Sequence, residues 1–150
     1  MYKKVITIIL LLLVFFPCNV FAKDNTLKDE VIALTKNYYI PIETVAISFH
    51  NMSKEHKREQ SKTCVDKVLK KLNELEKTEV STPLSEYKQA VIVFSKVSLE
   101  YILHMGKADD TNYESRLEGN TLIDVWKKSQ TEVTEEFRVI TGVRFNEYYW

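Results

Sequence analysis

From Ile42 to Thr82 the chain contains neither glycine nor proline, and the whole sequence has only three of each. A stretch this long without a breaker leaves little room for the turns of a β fold, and its Lys, Glu and Leu content favours helix. Apolar residues recur along it at steps of three and four. Ile42, Val45, Phe49 and Met52 form a stripe, which fades across the charged residues 53–63. It resumes as Val65, Val68, Leu69, Leu72 and Leu75. This is the spacing of one helix face. With no breaker in between, the sequence predicts one long helix from Pro41 to Lys77. The alternative is two helices joined near Ser53 or Ser61.

The flanking segments follow the same rule. Leu27, Val31, Ile32, Leu34 and Tyr38 predict a helix from Thr26 to Tyr39, with Asp29 and Glu30 complementing the positive end of its dipole. Pro41 predicts a break or kink at Ile40. Thr82-Pro83 reads as the start of a helix carrying Leu84, Tyr87, Val91, Phe94, Tyr101 and Met105, with a stop near Gly106. Asp109-Asp110-Thr111 predicts the cap of a last helix carrying Leu117, Leu122, Trp126, Val133, Phe137 and Ile140. Gly119 is a weak point inside it, and it ends near Gly142. Striped helices joined by short loops predict an all-α chain, an antiparallel helical bundle of about three to four helices. No repeat, low-complexity tract or internal domain boundary interrupts it.

The N-terminus has a different character. Lys3 and Lys4 precede an apolar run from Val5 to Phe16, interrupted only by Thr7, and Pro17 ends it. The run has the length of a secretory h-region and is shorter than the ~20 residues of a membrane span. Val20 and Ala22 provide small residues at −3 and −1, which predicts cleavage after Ala22. An uncleaved anchor needs a longer core, and lipidation at Cys18 needs a small residue where Pro17 stands. Residues 1–22 are therefore read as a signal peptide and 23–150 as one helical-bundle domain, exported to the periplasm or the extracellular space. No stable membrane span is expected after cleavage.

Charge and cysteine content narrow the function. The chain has 21 basic and 21 acidic residues. Losing Lys3 and Lys4 leaves the mature domain slightly acidic, which argues against a nucleic-acid partner. Loss of Cys18 leaves Cys64 alone, so no internal disulfide can staple the domain, and stability must come from the helix stripes. Cys64 reads first as a small core residue and second as a thiol for an intermolecular disulfide.

No catalytic pattern stands out. Ser85-x-x-Lys88 lacks the partner motifs that would give it meaning, and there is no Gly-x-Ser-x-Gly. His50 and His56 are six apart, a spacing that does not place them side by side on a helix. No Cys-x-x-Cys-His is present for covalent haem. The sequence gives no cofactor and no metal site. Candidates for the alternative reading, an exported bundle binding a small ligand, haem or metal, are His50, His56, His104, Met52 and Met105. Asn51-Met52-Ser53 matches a glycosylation sequon, of consequence only in a host that glycosylates.

Two features remain. Lys54, Lys57, Arg58, Lys62, Lys67, Lys70 and Lys71 make a basic stretch with only Glu55, Glu59 and Asp66 among them. It reads first as a solvated helix face and second as a patch for an anionic partner. The chain closes on Tyr148-Tyr149-Trp150. Aromatics at a terminus dock onto their own core or onto a partner, because they offer large contact area. The leading expectation is an exported, non-enzymatic bundle acting through protein or cell-envelope contacts. Its candidate contact residues are Tyr148, Tyr149, Trp150, Lys57, Arg58, Lys62 and Cys64.

Overall fold

The computed structural model describes residues 25–108 and 111–149, without the side chains of Tyr148 and Tyr149. The expected signal peptide and cleavage after Ala22, Asp109 and Asp110 in the predicted cap, and Trp150 lie outside the described residues. Regular structure among the described residues is entirely helical, so the all-α reading holds.

Helix α1 covers residues 25–34, a π-helical turn follows at Thr35–Tyr39, and α2 is Ile40–His50. Together they form one rod. The break predicted at Ile40 does not occur. Pro41 sits in the first turn of α2, and Ile40 N–H donates to the Thr35 carbonyl five residues back. The widened turn displaces the carbonyl that the proline ring would otherwise strike, so the helix passes through.

The single helix predicted from Pro41 to Lys77 is two helices. α2 ends at His50, and α3 is Lys54–Lys77. Ser53 adopts an extended backbone, and its Oγ accepts the His56 N–H at 3.4 Å. The apolar stripe has no member between Met52 and Val65 to hold a straight rod onto the core. A capping serine there wins over the absence of a breaker.

A 3₁₀ turn at Thr82–Leu84 leads into α4, Ser85–Lys107. The predicted Thr82 cap falls to Ser81, whose N–H and Oγ both donate to the Glu30 carboxylate at 2.9 Å. Helix α5 is Tyr113–Thr141, capped by the Asn112 side chain, which accepts from Glu114 and Ser115 N–H; Thr111 precedes this cap. It ends at Gly142 as predicted, with φ of 73° in the left-handed region. A short α6, Phe145–Tyr149, closes the chain.

Side-chain pairings give the topology. Thr35, Tyr39 and His50 on the rod meet Tyr87, Phe94 and Tyr101 on α4 in the same order, so these two run parallel across the bundle. Tyr38 meets Thr78 and Lys71 near the far end of α3. His104 meets Ser115 and Tyr87 meets Phe137, so α5 runs antiparallel to α4. Neighbouring helices thus alternate in direction around the bundle, and α1–α2 and α5 meet as first and last elements. The tightest packing joins α3 to α4 and α4 to α5.

The core is aromatic. Tyr39, Tyr87, Tyr101, Phe49, Phe94 and Phe137 are fully buried, with Trp126 nearly so. Burial of each such ring contributes about 1.5–3 kcal/mol. Buried hydroxyls are satisfied locally: Thr35, Ser95, Ser98 and Thr141 donate to carbonyls four residues back.

Candidate functional site

The seam between α2 and α5 is a loose joint of the bundle beside the tight α3–α4 and α4–α5 interfaces. Among the contacts that bridge it are a ring stack and a hydrogen bond. His50 stacks on Trp126 with ring centroids 6.1 Å apart, and Gln130 Nε2 donates to Glu43 Oε1 at 2.6 Å. Beside the hydrogen bond lies an open groove of about 580 Å³, lined by Ile40, Glu43, Thr44, Ile47, Ser48, Gln130, Thr134 and Phe145. Ile47 is 40% exposed there. Phe145 lines the groove, its ring meeting Tyr39 and Phe137 edge-on at 5.3 Å each.

Glu43 is the one charged side chain lining this groove among the described residues. Its Oε1 accepts from Tyr39 Oη at 2.7 Å as well as from Gln130. Burial drives the Tyr39 hydroxyl far above its ordinary range, and the Glu43 charge adds to this, so Tyr39 stays protonated and donates. Glu43 Oε2 receives no hydrogen bond or ion pair from any described residue. The carboxylate is therefore fixed from both walls of the seam while one oxygen keeps its acceptor capacity.

Further along the seam, His50 Nδ1 lies 2.6 Å from Tyr101 Oη. Trp126 Nε1 donates to Ser98 Oγ at 3.2 Å, and its ring stacks on Tyr101 at 5.8 Å. Burial pushes the Tyr101 hydroxyl up to about 12 and, with Lys57 and Lys127, holds the His50 imidazole below its usual value.

The residues singled out in the sequence are dispersed. His50 is held by Tyr101; exposed His56 pairs with Ser53 Oγ at 3.0 Å; His104 Nε2 lies 3.0 Å from the Ser115 carbonyl, with Glu118 on its other nitrogen at 3.5 Å. Met52 and Met105 pack against the core. No group of three or more His, Cys, Asp or Glu side chains placed to hold a metal occurs among the described residues. Cys64 is 6% exposed inside the core, and burial pushes its thiol up. Lys57 is half-buried, while Arg58 and Lys62 are exposed on α3. Ser85 and Lys88 have capping roles. Ser85 Oγ donates to the Thr82 carbonyl, and Lys88 Nζ to the Glu76 and Thr78 carbonyls at the end of α3. The tail docks onto its own core through Phe145; the Tyr148, Tyr149 and Trp150 side chains lie outside the description.

Sequence reasoning passed over Glu43, Ile47 and Gln130. A signal was present: Ile40, Glu43 and Ile47 repeat at steps of three and four beside the core stripe, a second row with a carboxylate in its middle. No known family, curated protein or solved structure matches the chain. No helix among the described residues is long and apolar enough to cross a membrane.

Proposed function

We propose that this is an exported, non-enzymatic binding module that acts by contact with a partner protein, and that the α2–α5 seam is the contact site. One observation carries the reading. Helices α2 and α5 leave an open groove in which Ile40, Ile47 and Phe145 share the lining with a single anchored carboxylate. Apolar surface combined with polar groups held in fixed positions is the usual make-up of a binding site. Export rests on the N-terminal residues 1–22, whose cleavage after Ala22 would expose Lys23 as the mature N-terminus.

Site-specific photocrosslinking in the native host tests the proposal. A benzoylphenylalanine at exposed Thr44, in the groove, is expected to give an adduct of discrete mass. The same probe at exposed Asn73 on α3 is expected to give none. Equal labelling at both positions, or none at either, would remove the seam as the contact site.

A further inference from the structure

We infer that the α2–α5 groove receives a lysine side chain presented on an extended segment of the partner protein, its ammonium meeting the Glu43 carboxylate. The inference rests on the reading of the seam as the contact site and adds the chemistry of the occupant.

Charge comes first. Glu43 is the only ionised side chain lining the groove among the described residues, so the groove selects a cation. Geometry then separates lysine from arginine. Oε1 already accepts from Tyr39 and Gln130, at 2.7 and 2.6 Å, and only Oε2 is left open. A guanidinium fork is matched to two free carboxylate oxygens, whereas an ammonium is a compact point charge that needs one. The aliphatic stem of lysine can lie along Ile40, Ile47 and Phe145, since long basic side chains bury their methylenes while the head meets a charge.

The rest of the lining points to a peptide as the carrier. Thr44 and Ser48 place hydroxyls, each a donor and an acceptor, along the same groove, and Thr134, whose hydroxyl donates to the Thr131 carbonyl, adds an acceptor. They suit the alternating N–H and C=O groups of an extended backbone. The groove is open along the surface, so a chain can pass through it.

Peptide titrations followed by amide chemical shifts test this. The probe is the acetylated, amidated peptide Leu-Lys-Leu, with its lysine replaced in turn by norleucine, acetyl-lysine and arginine. The lysine peptide is expected to shift Ile47, Gln130 and Phe145 saturably, and each replacement to bind roughly tenfold more weakly or worse, the scale of one charge-assisted hydrogen bond. Glu43→Gln keeps an oxygen for Tyr39 and Gln130 and is expected to abolish the preference for lysine. Thr44→Lys, at an exposed position, supplies a tethered ammonium and is expected to block the peptide with the Glu43 bonds intact.

Equal binding of the lysine and norleucine peptides would overturn the inference, as would tighter binding of the arginine peptide. So would a Thr44→Lys variant that binds normally, or no response at the groove residues. If crosslinking from Thr44 persists while the lysine preference is absent, the occupant is wrong and the contact site stands. If crosslinking fails as well, both fall.

Discussion

His50 lies where three helices meet: it is on α2, bonded to Tyr101 of α4 and stacked on Trp126 of α5. Desolvation disfavours its charged form, and Lys57 and Lys127 add to this. The folded-state pKa is thus below the unfolded value of about 6.5. As pH falls through that value, the unfolded chain takes up a proton that the folded chain does not. The stabilisation is present above about pH 6.5 and is lost as the solution is acidified. Urea unfolding midpoints are expected to fall from pH 7 to pH 5. His50→Asn retains a polar atom near the Tyr101 hydroxyl and is expected to show a shallower fall. Parallel pH profiles for the two proteins would show that His50 contributes no such term. His56 and His104 are common to both and cancel in the comparison.

At the scale of elements, most of the helices were legible in the sequence, because stripe spacing and caps are local properties. Gly142 as a left-handed stop and Pro83 at a helix start are examples. The errors lie where local signals compete. Pro41 is absorbed by a π turn, and Ser53 caps a helix that lacked a breaker. The stop read near Gly106 holds, since α4 ends at Lys107, but Gly106 and Gly119 are also buried within their helices, which the sequence did not foretell. Their role depends on tertiary contacts that no local pattern records. A Cβ at Gly106 would lie 2.5 Å from Ser61 Cβ, and one at Gly119 would lie 3.3 Å from Met105 Sδ. Neither atom at the Gly106–Ser61 crossing can swing away, because each is attached directly to a helix backbone. Gly106→Ala is therefore expected to destabilise by roughly 1–3 kcal/mol, the usual cost of overpacking. Ser61→Gly opens the space it needs. Adding it to Gly106→Ala should recover part of the loss, giving a favourable coupling in a double-mutant cycle. Strict additivity would mean that the helices separate freely at this crossing.

For the molecule as a whole, bundle closure depends on its last joint. The α3–α4 and α4–α5 interfaces are tightly packed, whereas α2 and α5 are joined by the Glu43–Gln130 bond, the His50–Trp126 stack and the aromatic plug of Phe145. The sequence could not reveal this seam, since Glu43 and Gln130 are far apart in the chain and come together only on folding. Its one local trace was the isoleucine row beside the core stripe. Phe145 acts on both sides of the joint, because its ring packs on Tyr39 from the first rod and on Phe137 from α5. Removing it is expected to cost about 2 kcal/mol, below the full figure for a buried phenylalanine because the ring is only half-buried. The loss should be uneven. Hydrogen exchange in Phe145→Ala is expected to accelerate in α6 and along the facing turns of α2 and α5, while amides at the α3–α4 interface keep their protection. Uniform acceleration across every helix would instead mean that the bundle opens as one unit and that the seam has no separate stability.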